Sequence, residues 1–507
     1  LLTVTMRADG SSKFSRGNRW GYFPAAALAW RIAEEPFMEV TKDWLSNLKL
    51  RFSYGTAGNN RIGNAMYETT YKAYDGTKYY GQGGEQNPHY TLNNNQLANA
   101  NLKWETTITR NVGLDFGFFN ERLSGSIDYY WNTVKDLLIE LPITAIGYTT
   151  MQQNLGQTSN KGIELSLNAS ILQKKDYSLN FNFNIGFNKN KVDKLADGMN
   201  SMSFNSGAFS SDMRGQDDYR VIVGQPLGLV WGFVYDGVYG VDDFVTYTDA
   251  AGKTQFQFDQ SGNYILKEGV TDNTYMTASS YGGLRPGAMK LKDLDGDGKI
   301  TEDKDRTIIG KTQPKFTGGF GLNATYKWFD FAANFNFVVG NDVYNMDKMV
   351  SSQSYRNTYA NLRADMAPVT LGGKAWTYLD RATGTIVTDY ETLKSMNANA
   401  TYWSGTTMSD NNPVPTSWAV EDGSFLRLQN LTVGFTMPKE WTKKFACSQL
   451  RLYCTLNNVF CLTKYEGYDP EVSTAIRNSK TSGLTPGADF SAYPKSFSWT
   501  AGVNITF

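Results

Sequence analysis

Hydrophobic and polar residues alternate along this chain in about twelve separate stretches. The last is the most regular. From Ser496 to Phe507, the residues Phe497, Trp499, Ala501, Val503, Ile505 and Phe507 share one parity, and Ser496, Ser498, Thr500, Gly502, Asn504 and Thr506 share the other. A β-strand sends successive side chains to opposite faces, so this stretch predicts a strand with one apolar and one polar side. A strand of a soluble sandwich has the same two faces. The stretch alone leaves open which solvent meets the apolar one.

Earlier stretches repeat the pattern. Leu2, Val4 and Met6 alternate with Thr3, Thr5 and Arg7, and Tyr22 to Arg31 resumes the pattern with Tyr22, Leu28 and Trp30 on one parity. After a short connector of helical character from Glu34 to Asn47, Leu48, Leu50, Phe52 and Tyr54 alternate with Lys49, Arg51 and Ser53. A polar loop then runs to about Leu102. Val112 to Phe118 and Leu123 to Trp131 flank the tight turn Asn120-Glu121-Arg122 and predict a hairpin. A middle-length loop is expected next. A second hairpin follows, from Ile163–Ile171 to Tyr177–Phe187, with Ser166, Asn168, Asn180, Asn182 and Asn184 on its polar face. A face so rich in Asn and Ser is a wet one. A third hairpin joins Phe320–Tyr326 to Phe329–Val339, and strands at Leu431–Phe435 and Leu450–Leu456 precede the last. Residues 189–314 and 341–421 are long excursions, with a helix expected near Met346 to Asp365.

The connections are expected to alternate strictly between short and long, the short ones near residues 34–47, 120–122, 173–176, 327–328 and 438–448. An even number of strands joined this way puts both chain ends and all short turns on one side, and every long loop on the other. Outer-membrane barrels have that asymmetry. The predicted fold is therefore all-β, a transmembrane antiparallel up-and-down β-barrel whose apolar rows meet lipid. Composition agrees: 41% of residues are hydrophobic, yet no run approaches the roughly 18 apolar residues of a membrane helix. Lys+Arg and Asp+Glu are both 49, so nothing recommends a nucleic-acid partner. The three cysteines, Cys447, Cys454 and Cys461, lack zinc spacing, and the single histidine, His89, argues against His-based catalysis. No enzyme activity is expected. With no start Met and no leader, the chain is expected to be a mature or partial fragment of a longer protein.

Asp9-Gly10-Ser11-Ser12, Trp20-Gly21-Tyr22-Phe23-Pro24, Leu48-Lys49-Leu50-Arg51 and Trp104-Glu105-Thr106 occur in the order of a known family. So do Gly113-Leu114-Asp115-Phe116-Gly117, Gly224-Gln225-Pro226-Leu227-Gly228, Ser424-Phe425-Leu426-Arg427-Leu428, Gly467-Tyr468-Asp469-Pro470-Glu471 and the terminal Phe507. Together they resemble the barrel of SusC/RagA-type TonB-dependent outer-membrane transporters. The resemblance implies a barrel of roughly 22 strands, filled by a plug and driven by the TonB complex. It also implies a SusD-like surface lipoprotein as a lid, and import of oligosaccharides or peptides as nutrients. The chain resembles only the C-terminal part of that barrel, residues 1–507 throughout. About ten strands, the plug and the TonB box have no counterpart in it. A passive porin-like barrel and a calcium-stabilised surface adhesin are the alternatives.

One stretch has metal-ligand spacing. Asp293, Asp295 and Asp297 stand at positions 1, 3 and 5 of a calcium loop, with Gly298 at 6 and the Lys299 carbonyl at 7. Position 12 is Lys304 rather than an acid. Asp303 or Asp305 reaches the ion only if the loop is one residue shorter or longer. The expected ion is a structural Ca²⁺; a plain Asp/Gly turn is the other reading. Among the loop aromatics, Trp231, Tyr235, Tyr239, Tyr355, Tyr359 and Trp403 are candidates for contacting substrate or lid, and about half of such rings are expected to pack the loops together. Trp20, Trp104, Trp328 and Trp499 are expected at the membrane interfaces.

Overall fold

The computed structural model describes residues 1–73, 80–82, 85–87, 90–92, 95–145, 147–196, 198–206, 217–274, 283–346, 348, 373–404, 414–445, 447–472, 483–489 and 493–507. Twelve long strands form its main sheet. They are β1 (Leu2–Gly10), β2 (Trp20–Arg31), β3 (Leu45–Asn59), β4 (Glu105–Phe118), β5 (Leu123–Ala145) and β6 (Tyr148–Gln173). The other six are β7 (Tyr177–Lys194), β8 (Phe316–Tyr326), β9 (Phe329–Val339), β10 (Phe425–Thr436), β11 (Gln449–Thr463) and β12 (Ser498–Thr506). Each pairs antiparallel with its neighbours in the chain, from β1 at one edge to β12 at the other. The short strand Gln96–Leu97 adds to β6.

The register carries the two faces across the sheet, with bulges such as that between Leu428 and Asn430 absorbing the local changes of parity. Leu2, Leu28, Phe52, Val112, Tyr129, Ile163 and Phe187 are successive partners from β1 to β7. Phe183, Phe320, Phe335, Leu428 and Phe460 continue such rows from β7 to β11. Many side chains of this face are open to the surroundings: Ile163 is 49%, Phe329 50% and Val503 57% exposed. Large apolar groups in such number do not face water on a stable protein. Behind them runs a polar row, Asn168, Asn182, Gly321, Asn334, Asn430, Asn457 and Ser498, from β6 to β12. The apolar face is the outward one and the Asn face the inward one.

The short connections at 32–44, 119–122, 174–176, 327–328 and 437–448 all lie at one end of the sheet. The connector after β2 consists of two 3₁₀ turns, Ile32–Glu34 and Pro36–Thr41. At the other end the expected strict alternation does not hold. The β1–β2 connection is only residues 11–19, and β5 ends at Ala145 two residues before β6 begins at Tyr148. The middle-length loop expected near residue 140 is a tall antiparallel ribbon. Its ladder slips between Val134 and Leu137 and again between Leu137 and Leu138. Asp136 adopts φ +56° there. A bulge inserts a residue and inverts the parity that follows it, so the apolar positions beyond it fall out of phase and do not read as a strand.

The described residues within 195–315, 340–424 and 464–497 build a separate structure above this end. Ser201–Phe204, Tyr219–Ile222, Leu229–Phe233 and Arg306–Lys311 form a four-stranded sheet. Its core takes Tyr219, Phe233, Met289 and Ile300 from the first excursion, Tyr344, Met346 and Ala419 from the second, and Ala488 from the third. A second core collects Tyr239, Phe244, Phe256, Trp376 and Leu393. Three connections thus share their buried apolar groups and form one loop domain. The expected helix near Met346 to Asp365 falls almost wholly outside the described residues.

Aromatic groups mark both rims of the apolar band. Trp20 and Trp499 stand exposed at the loop end and Trp328 at the turn end, where it lies 6.5 Å from Trp441. Trp104 is a correction to the expected set. Its ring packs on Phe14 and Phe23 at 5.5 and 5.6 Å, on the inward side, because Phe23 lies on the polar parity of β2. Placing an arginine at Leu165, mid-band and outward, is expected to cost about 2–4 kcal/mol, whereas Ser166→Arg on the wetted face stays within about 1 kcal/mol. Urea unfolding in lipid vesicles, followed by tryptophan fluorescence, checks the difference.

Candidate functional site

The inward face is a polar wall stitched by amides. The Asn334 amide donates to Asn430 Oδ1 at 2.7 Å, Asn190 donates to Asn160 Oδ1 at 3.0 Å, and the Tyr130 hydroxyl donates to Asn188 Oδ1 at 2.9 Å. Thr109, Arg110, Asn132 and Glu164 join Tyr130 and Asn160 around a recess of about 530 Å³. Amide-lined walls offer donors and acceptors alike, the chemistry that exchanges with water or with the hydroxyls and peptide groups of a solute.

Charges cross this face where a strand offers no side chain. Arg51 of β3 donates to Asp115 of β4 at 2.9 Å and to Asp128 of β5 at 3.0 Å. It reaches β5 over Gly113: a Cβ there would lie 2.4 Å from Asp128 and 2.6 Å from Arg51. Arg451 of β11 reaches Asp330 of β9 at 2.9 Å over Gly434 in the same way. These pairs are legible in the sequence only as charged residues on polar parity. Lys348 was not legible. It is buried between Glu421 and Glu466, at 3.0 and 2.9 Å, and the partners lie far along the chain. Arg427 on β10, paired at 2.7 Å with Asp469, ties the sheet to the third excursion.

The acidic stretch forms the expected compact loop. One carboxylate oxygen from each of Asp293, Asp295 and Asp297 lies within 4.8 Å of the others. Gly296 and Gly298 adopt φ +79° and +83° and aim their N–H groups at Asp293, at 2.6 and 2.7 Å. The Gly298 and Gly296 amides hold the Asp293 carboxyl below the usual range. The Lys304 ammonium, at position 12, bridges Asp295 and Asp297 at 2.9 and 2.8 Å and lowers Asp297 in turn. Asp305 is fully buried and accepts the N–H groups of Leu294 and Thr301 at 2.8 and 2.7 Å, which closes the loop on itself. Asp303 lies apart, with Lys299, on the rim of a recess shared with Asp272.

The candidate rings are placed unequally. Tyr239 is fully buried and donates to the Thr271 carbonyl, and Trp403 is buried against Trp418 at 5.9 Å. Neither presents a face to a ligand. Tyr235 is half-buried, with no hydrogen-bond partner for its hydroxyl among the described residues, and burial pushes that hydroxyl up to about 12. Trp231 is half-buried under the Arg220 guanidinium, 4.4 Å from its ring centre. Tyr355 and Tyr359 lie outside the described residues.

An antiparallel twelve-strand meander with one apolar and one polar face, capped at one end by a packed loop domain, has the architecture of part of an outer-membrane β-barrel wall. Residues 1–282 match the family described as TonB dependent receptor-like, beta-barrel, and the chain belongs to that family. It is 32% identical to TonB-dependent receptor P3 of Formosa agariphila over all of its length and 44% of that protein. It is 29% identical to TonB-dependent receptor SusC of Bacteroides thetaiotaomicron, over all of the chain and 42% of SusC. The RagAB peptide transporter structure superposes with a TM-score of 0.71 at 24% identity, over all of this chain and 46% of that one. The chain thus spans under half the length of the relatives it matches. Those relatives are receptors, not enzymes.

Asp218 supplies a test of the loop domain. It is buried, accepts the Ser206 N–H at 2.7 Å, and burial pushes its carboxyl up to about 6 from 3.8. A raised acid binds its proton more tightly folded than unfolded, so local stability is highest below pH 4 and falls as pH rises from about 4 to 6, by at most about 3 kcal/mol. Hydrogen exchange at Tyr219–Ile222, corrected for intrinsic rates, is expected to show that fall, and Asp218→Asn is expected to flatten it.

Proposed function

We propose that this chain supplies the pore wall and the outer loop domain of a TonB-dependent nutrient importer of the bacterial outer membrane. The observation that carries the reading is the inward row of Asn, Gly and Ser beneath a packed loop domain, in a chain of this family. The inward amides line a hydrated path. The loop domain lies at the end that carries long extracellular loops in such barrels, and a SusD-like lipoprotein closes over it. TonB supplies the energy through a plug outside this chain. The cargo is an oligosaccharide or a peptide, which amide walls and half-exposed rings such as Trp231 suit equally.

The intact protein, extracted from outer membranes in mild detergent, is expected to bring down a surface lipoprotein at one-to-one stoichiometry, with a saccharide or peptide mass retained in native mass spectrometry. A chain that works alone and conducts ions passively in planar bilayers sinks the importer reading in favour of a porin. Release into aqueous buffer without detergent favours the adhesin.

The same reading assigns a structural Ca²⁺ to the acidic loop. The residues fit it in part: Asp293, Asp295 and Asp297 supply converging carboxylates, and the Lys299 carbonyl is a fourth donor. Asp305 is committed to the loop's own amides. Lys304 competes with the ion and has to swing away. Bound Ca²⁺ would stiffen the turn between Met289–Leu291 and Arg306–Lys311. Lys304→Glu, which removes the competing ammonium and restores an acid at position 12, is expected to tighten Ca²⁺ binding by roughly tenfold or more in isothermal titration. Equal affinity in the two proteins places the ion elsewhere.

A further inference from the structure

The outward face is not uniformly smooth. Between β8 and β11, at the loop end, lies a groove of about 670 Å³ lined by Phe320, Phe337, Val339, Leu426, Leu462 and Lys464. Its origin is local. Phe337 is paired with Gly318 on β8 and with Leu426 on β10. A Cβ at Gly318 would lie 2.6 Å from the Phe337 ring, so the ring leans over the glycine toward β8 and leaves the β10 side open. Ladder irregularities at Asn334/Phe335 and Leu428/Asn430 bend the strands below it.

The groove changes chemistry along its length. Its floor is aromatic and aliphatic. Next come the Ser424 and Thr463 hydroxyls, the first accepting the Gly340 N–H at 2.9 Å and the second donating to the Ser424 carbonyl at 2.8 Å. Exposed Lys464 stands at the top. Asp422 also lines the rim, and its carboxylate accepts the Ser424 N–H at 2.9 Å and lies within electrostatic range of both Lys464 and Lys315. The two lysines bring ammonium groups to a rim that also carries Asp422 and its cross-strand partner Asp342. Farther along the same face and level, Lys161 and Lys189 are direct cross-strand partners, both exposed. Like charges so placed destabilise a sheet unless an anion lies over them.

We propose that this groove holds an acyl chain of a phosphate-bearing lipid of the outer leaflet, with Lys464 and Lys315 on the phosphate. Apolar floor, hydroxyl step and ammonium rim follow the order acyl chain, polar linkage, phosphate in a lipid standing in that leaflet. A neutral or zwitterionic lipid fills the floor and gains little from the rim. The site rests on the outward face meeting lipid and is independent of which solute the pore carries.

The intact protein in mild detergent is exchanged into mixed micelles of dipalmitoyl phosphatidate or dipalmitoyl phosphatidylcholine, and retained lipid is counted by native mass spectrometry. One phosphatidate per chain is expected to survive, roughly tenfold over phosphatidylcholine. Lys464→Glu is expected to lower that retention by roughly tenfold, and Val339→Trp, which fills the groove, to abolish it. Unchanged heat-modifiable gel mobility shows that both variants are folded. Equal retention of the two lipids, or wild-type retention by either folded variant, overturns the proposal.

Discussion

Lateral backbone pairing is the interaction on which everything else here depends. A strand with lipid on one side finds no water there for its N–H and C=O groups, so each must be met by the next strand. The ladder from β1 to β12 does this, and its register sets what each side chain sees. A slip of one residue would turn Phe183, Phe320 and Phe335 to the polar face and Asn182 and Asn334 to the apolar one. The apolar rows and the Asn rows are therefore two readings of one register.

That register also explains why inward glycines matter. Neighbouring strands stand about 4.8 Å apart, so a charge on one strand reaches the next strand but one only if the strand between offers no side chain. Gly113 and Gly434 are such gaps, and Arg51–Asp128 and Arg451–Asp330 pass through them. The wall is thereby cross-linked on its wet side, where single surface pairs contribute little but a network of half-buried ones holds its shape. The polar face thereby keeps amides and charges in fixed places without adding bulk to it.

The loop domain solves a different problem. Long connections on a barrel rim carry many polar backbone groups and little apolar surface of their own. Here three of them pool Tyr219, Met289, Tyr344, Trp403 and Ala488 in one core; Lys348 with Glu421 and Glu466 ties the second excursion to the third, and the buried Arg427–Asp469 pair fastens the third to β10. Rings that the sequence offers as ligand contacts are spent on this packing when they lie centrally, as Tyr239 and Trp403 do. Rings at its margin, such as Trp231 and Tyr235, keep part of their surface.

Period-two alternation is enough, in the sequence alone, to place the twelve strands and their two faces. Each of those depends only on a residue's own parity within a strand. The acidic loop was equally legible, because Asp-x-Asp-x-Asp-Gly converges its carboxylates within one turn. Tertiary structure alone decided the rest. The β5–β6 ribbon escaped because a bulge at Asp136 inverts the parity that the pattern relies on. Trp104 turned inward because Phe14 and Phe23 are there to receive it, and Lys304 met Asp295 and Asp297 because the loop folds back on itself. Burial of Tyr239, Trp403 and Lys348 depends on partners far along the chain. No local pattern encodes such partners, since the chain distance between contacting groups is set by how the loops close and not by the residues on either side.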